Sequence, residues 1–179
     1  MRAVLAAVLF VFAATTAGAQ IVWVGAEAGT TWEYEADTAP DKTFHYADTV
    51  SPSGFVGLKI GNDVALRLRY LDVPHDVVSG GEAWPGKVRA WTIGVDYFFP
   101  GIVGKAHYSA GVGSYRLDLE AAQPPEGIED TTFGWYLAVG EWFRVGRRLQ
   151  ATMELTMDRS SLEGTPVTLG VWAGLAFGF

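Results

Sequence analysis

The chain has 179 residues, a formal net charge of −7 and no cysteine. These values exclude a disulfide framework, thiol chemistry and a lipidated N-terminal cysteine, and an acidic chain is a poor candidate for nucleic-acid binding. Its 22 glycines and its aromatic content of 13% point instead to short alternating strands, since Gly-rich and aromatic-rich segments of that kind build β-barrels.

Met1-Arg2 gives a minimal positive start, Ala3 to Ala14 is apolar, and Ala17-Gly18-Ala19 forms a small-residue cleavage site before Gln20. Residues 1–19 therefore read as a secretory signal peptide. The stretch is too short, and wrongly flanked, for a membrane helix, which needs about 20 apolar residues. No later run approaches that length, and residues 20–179 form one domain's worth of chain.

Eight segments with a period of two follow. The first, Ile21–Glu35, sets Val22, Val24, Ala26, Ala28, Trp32 and Tyr34 on one face and Gly25, Glu27, Gly29, Thr31 and Glu33 on the other. The second, Val50–Ile60, has Val56, Leu58 and Ile60 outward and Gly57 and Lys59 inward, and ends in the turn Gly61-Asn62-Asp63. The third, Val64–Leu71, has Val64, Leu66, Leu68 and Tyr70 outward and Arg67 and Arg69 inward. The fourth, Val88–Phe99, has Trp91, Ile93, Val95, Tyr97 and Phe99 outward and Thr92, Gly94 and Asp96 inward. After Pro100-Gly101, the fifth, Lys105–Leu119, alternates Ala106, Tyr108, Ala110 and Val112 with His107, Ser109, Gly111 and Gly113. The sixth, Thr131–Val145, has Phe133, Trp135, Leu137, Val139 and Phe143 outward. Past Gly146-Arg147-Arg148, the seventh, Leu149–Asp158, turns Gln150, Thr152, Glu154 and Asp158 inward. The eighth, Val167–Phe179, carries an apolar face through Phe177 and Phe179.

Three connections are short and four are longer and polar: Ala36–Thr49, Asp72–Lys87, Glu120–Asp130 and Arg159–Pro166. Short turns at one end and long loops at the other are the plan of an outer-membrane barrel. The outward aromatics then sort by height. Trp32, Tyr34, Tyr70, Trp91, Phe133 and Trp135 fall near the long loops, and Tyr97, Phe99, Tyr108, Phe143, Phe177 and Phe179 near the short turns. Two aromatic girdles bounding an apolar band are what lipid interfaces favour.

The ending Gly174-Leu175-Ala176-Phe177-Gly178-Phe179 resembles the C-terminal assembly signal of bacterial outer-membrane barrels, with Gly174, Phe177 and Phe179 at its key positions. The polar residue usual two places before the glycine is Trp172 here. Phe133-Gly134-Trp135-Tyr136-Leu137-Ala138-Val139-Gly140 is similar to the Gly-rich strand of small eight-stranded outer-membrane barrels. The chain thus resembles the family of the OmpA transmembrane domain and OmpX over residues 20–179. The resemblance implies an all-β, eight-stranded, antiparallel up-and-down transmembrane barrel in the outer membrane. It also implies a monomer in contact with outer-membrane lipid and lipopolysaccharide, inserted by the barrel-assembly machinery, with no nucleic-acid partner and no cofactor. Any extracellular partner is left open.

Glu141 falls on the lipid face by strict alternation, and a bulge near Gly140 is expected to return it to the interior. The other option keeps it outside, near the periplasmic headgroups. The inward charges Glu27, Glu33, Lys59, Arg67, Arg69, Asp96, Glu154 and Asp158 must pair in so narrow a core. Lys59 with Arg67, and Glu27 with Glu154, are expected at matching depth on adjacent strands. The network reads as a structural plug ahead of a gate, and the inward glycines read as space for inward Trp23, Phe98, Tyr136, Trp142 and Trp172.

Catalysis is not expected. His107-Tyr108-Ser109 resembles the His-x-Ser of outer-membrane lipid A deacylases, but His107 lies at the short-turn end and points inward, with Glu120 at the far end of its strand. His45 and His75, near Asp48 and Asp76, show no metal-ligand spacing, so no metal is expected. Arg116, outward near the top of its strand, is suited to a lipid phosphate or to a solvated strand end. The acidic loops with Trp84, Pro85, Pro124 and Pro125 leave a surface-binding role open. The reading is a structural or surface-interaction barrel, with a narrow channel for small solutes as the alternative and a lipid hydrolase behind it.

Overall fold

The structure, a computed structural model, describes residues 22–34, 42–45, 50–79, 82–120, 131–160 and 167–179. The signal-peptide segment, the ends of the first predicted strand and most of three long loops lie outside the described residues, as do the side chains of Glu33 and Tyr34.

Every described element is a strand: β1 (Val22–Tyr34), β2 (Lys42–His45), β3 (Ser51–Lys59), β4 (Val64–Ser79), β5 (Glu82–Pro100), β6 (Lys105–Leu119), β7 (Thr131–Arg144), β8 (Leu149–Ser160) and β9 (Val167–Gly178). All pairings are antiparallel between chain neighbours, apart from β2, and β1 closes on β9 from Trp23↔Gly178 to Tyr34↔Val167. Eight strands form the barrel; β2 is a short ninth strand that pairs with the upper part of β4, Lys42↔Ser79 to His45↔Asp76. Closure leaves no free edge in the wall.

Two expectations are corrected here. The loop expected over Asp72–Lys87 is a continuation of the wall, because β4 and β5 stay paired from Asp72↔Arg89 to Ser79↔Glu82. Pro74 and Pro85 mark a loop by residue type, yet Val73 and Val88 keep the inward period and are buried against Leu71, Ala90 and Leu117. Apolar burial overrides the proline signal. Val22, expected on the outward face, is buried at the foot of β1, where its carbonyl accepts the Phe179 N–H at 2.8 Å.

Elsewhere the polarity is inverted relative to a soluble barrel. Ile93, Val95, Val112, Leu137, Val139, Met153, Leu155 and Leu175 are exposed, whereas Arg67, Asp96 and His107 are completely buried. Cross-strand pairing lines up Tyr70, Trp91 and Phe133 in the upper girdle and Tyr97 beside Tyr108 in the lower one. Trp91 and Phe99 are eight residues apart on β5, about 26 Å along a strand at roughly 3.3 Å per residue. A tilt of about 40° projects this to about 20 Å, close to the roughly 25 Å apolar band of such barrels.

Inside, glycines make room for rings. The space a Cβ would take at Gly25 is filled by the Phe55 ring, that at Gly57 by the Trp23 indole, and that at both Gly94 and Gly111 by Tyr136. These are packing contacts, with the small residue of one strand seating a large one from the next strand or, for Gly94 and Tyr136, from the strand beyond it.

Candidate functional site

The interior is built in layers. At the short-turn end Trp23, Phe55, Phe98 and Trp142 pack with Ala65 and Ala176. Trp142 meets Trp23 at 5.5 Å and Phe98 at 5.5 Å, both edge-to-face, a preferred aromatic geometry. At the long-loop end Leu71, Val73, Val88, Ala90, Leu117 and Trp172 form a second apolar layer with Tyr115.

Between them lies an ionic belt. Arg67, inward on β4, donates from Nε to Asp96 Oδ2 at 2.8 Å and from Nη2 to Asp96 Oδ1 at 2.9 Å. Its Nη1 bonds Glu154 across the barrel, and Nη2 also donates to Ser109 Oγ at 2.8 Å. Ser109 donates in turn to Asp96 at 2.6 Å, and His107 Nε2 lies 2.9 Å from Glu154 Oε1. Arg67 stands over the Phe55 ring at 5.4 Å. One guanidinium therefore joins β4, β5, β6 and β8 through charge-assisted bonds.

Arg69, one inward step above, lies 4.0 Å from Asp158, gives Nε to Ser53 at 3.3 Å and stacks over Trp172 at 5.0 Å. Tyr115 donates to Asp158 at 2.9 Å. Glu27 accepts from Thr152 at 3.0 Å.

The expected interior charges divide accordingly. Arg67, Asp96 and Glu154 meet directly, Arg69 sits with Asp158, and Glu27 is buried on β1 with Thr152 as its hydrogen-bond donor. Glu27 and Glu154 are not on adjacent strands, because β9 stands between β1 and β8: Glu27 pairs with Gly174 and Glu154 with Trp172. Lys59 is outside the belt. It pairs with Ala65, whereas Arg67 pairs with Gly57, so Lys59 sits one inward step nearer the turns and is only half-buried. Strand parity put His107, Ser109, Ser53, Thr152 and Tyr115 inside, but their polar partners come from other strands and carry no local sequence signal.

Glu141 is the clearest correction. No bulge occurs: Ala106↔Glu141 and Glu141↔Met153 continue unbroken ladders. The carboxylate stays on the outer side and caps a turn, accepting from Val103 N at 2.7 Å and Gly104 N at 2.6 Å. Those amides give the acid a local purpose, so alternation need not break.

His107 and Ser109 do not form a relay. The serine bonds Asp96 and Arg67, the histidine bonds Glu154, and both side chains are buried. His45 lies opposite Asp76 in the β2–β4 ladder, while their side chains and Asp48 are outside the described residues. Arg116 is exposed, as expected, and pairs with Asp118 at 2.7 Å, which also binds Arg89 at 2.8 Å.

A closed eight-stranded antiparallel barrel with a greasy outside and a charged inside defines the class: the fold is that of the small outer-membrane barrels. No protein-family model matches the chain, and no curated protein does. Solved structures do. The chain is similar to Neisserial surface protein A at 14% identity, covering 88% of this chain and 97% of that one with a TM-score of 0.66. It is similar to the outer-membrane protein OprG of Pseudomonas aeruginosa at 12% identity, covering 89% and 95% with a TM-score of 0.61. It is also similar to the outer-membrane protein AlkL at 9% identity, covering 89% and 90% with a TM-score of 0.58.

Proposed function

We propose that this chain is an integral outer-membrane protein whose barrel is a sealed anchor and whose long-loop end performs a structural or surface-interaction role, without catalysis. The observation that carries the reading is the Arg67–Asp96–Glu154 belt, wholly buried between two apolar layers. Charges held this way in a dry core fix register and are costly to disturb. The lipid-type exterior and the two girdles support membrane insertion, and the Phe177–Phe179 ending supports handling by the barrel-assembly machinery, with residues 1–19 as the export signal. Outer-membrane lipid and lipopolysaccharide are then its surroundings, and the protein works as a monomer.

Conductance in a planar bilayer tests the reading, with heat-modifiable gel migration proving the fold. Silence from folded protein is the expected result. Reproducible small openings would overturn the sealed anchor in favour of a narrow channel.

A further inference from the structure

The short-turn end carries inward positions that the plug leaves unused. Lys59 on β3, Lys105 on β6 and Arg144 on β7 are the inward residues nearest the turns, by the same parity that turns Gly57, His107 and Trp142 inside. With Arg147 of the β7–β8 turn they wall a cavity of about 690 Å³ floored by Trp23, Phe98 and Trp142. Among the described residues lining it, none is a carboxylate. The whole chain has 20 acids against 13 cations, yet Lys59, Lys105, Arg144 and Arg147 line this cavity, while Asp63, Glu141 and the Phe179 terminus at the same end are outside its lining; Arg144 Nε also donates to the Gly146 carbonyl at 3.4 Å. Glu141 is already bound to the Val103 and Gly104 amides. The Nε1 of Trp23 is seated against Gly57 and that of Trp142 is buried, so the floor offers a ligand ring faces and edges.

We propose that this cavity binds a small organic anion, a phosphomonoester or carboxylate carried on a flat apolar body. The volume lies within the roughly 300–1,000 Å³ of small-molecule sites, which combine apolar walls with a few convergent polar groups. The rings take the flat body by offset stacking or edge contact, and the ammonium and guanidinium groups select the oxyanion. A lipid headgroup offers the same phosphate, but Lys59, Lys105 and Arg144 hold inward strand positions at the mouth, over an aromatic floor, whereas lipid meets the outward face. The inference depends on the outer-membrane reading for the compartment that supplies the ligand, not for the binding.

The test is a titration of the folded protein, in nanodiscs of zwitterionic lipid, with phenyl phosphate and with benzyl alcohol as the neutral control. It is read by tryptophan fluorescence and by saturation-transfer NMR of the ligand. Saturable binding of phenyl phosphate, at least tenfold tighter than the alcohol and at least tenfold weaker in Lys59→Gln/Lys105→Gln/Arg144→Gln, is expected. Those positions lie outside the Arg67 belt, so the triple variant should keep heat-modifiable migration; should it not, the three single variants are each expected to weaken binding. Binding that is absent, equal for the alcohol, or unchanged in the variants overturns the site. Loss of phenyl phosphate binding when anionic lipid replaces part of the disc overturns the soluble source in favour of a headgroup. Conductance reports separately on the sealed anchor.

Discussion

Replacing Arg67 by Met removes the cation and keeps most of the side-chain volume. Arg67 is wholly buried and is the direct partner of both Asp96 and Glu154. Its loss leaves two carboxylates in a closed interior, with Arg69 engaged near Asp158 at 4.0 Å. Breaking one partner of a buried ion pair costs about 3–5 kcal/mol, and stranding two acids puts R67M near the top of that range. The converse is equally specific. In R67M/D96N/E154Q all three formal charges are gone, and stability should return to within about 2 kcal/mol of wild type, because replacing a whole buried network is often close to neutral. Urea unfolding in lipid vesicles, followed by tryptophan fluorescence and heat-modifiable migration, measures both. The reasoning fails if R67M lies within about 1 kcal/mol of wild type, or if the triple variant is no more stable than the single one.

Gly94→Val sets a branched side chain where the Tyr136 ring and the Ala110 carbonyl already lie, so the folded, heat-modifiable band should be lost on refolding, while Ala110→Val on the exposed face should keep it. Glu141→Ala removes two charge-assisted bonds to the Val103 and Gly104 amides. A loss of about 1–3 kcal/mol is expected, with faster hydrogen exchange confined to that turn; unchanged exchange there would contradict the cap. Ile93→Arg, on the exposed band between the girdles, should cost about 2–4 kcal/mol in vesicles and Phe133→Arg, at the upper girdle, about 1 kcal/mol or less. Equal costs would remove the case for a membrane midplane at Ile93.

The wall was legible because alternation is local. Val24, Leu68, Ile93, Val139 and Leu155 could be placed outside from residue type and period alone, and all are exposed. Misreadings arose where a local signal competed with a distant partner. Pro74 and Pro85 look like loop, and only the burial of Val73 and Val88 beneath Leu117 shows why pairing continues. Glu141 looks misplaced on an outward face until the amides at 103 and 104, nearly forty positions away, are beside it. The inward charges could be named from parity, but not their partners. Across a barrel the pairing depends on shear and tilt, which a period of two does not encode, so parity alone groups Lys59 with Arg67 although Lys59 belongs to the mouth. The apolar layer at the long-loop end was equally hidden, since Leu71, Val88 and Tyr115 each looked like an ordinary strand residue.

The layered interior also bears on the channel alternative. Exchange of partners within the belt, for example Arg67 releasing Glu154 to His107 alone, opens no path by itself, because apolar layers lie on both sides. A path through the floor requires Trp142 to leave its contacts with Trp23, Phe98 and Phe55. Losing the packing of a buried aromatic costs about 3–5 kcal/mol, which keeps the displaced state near one part in a thousand at roughly 1.4 kcal/mol per factor of ten. The opposite layer must open as well, and if it does so independently at similar cost the joint population falls to about one in a million. Conduction through this barrel would therefore require an agent that binds the displaced state, and a bilayer free of such an agent should stay silent even when the belt is mutated.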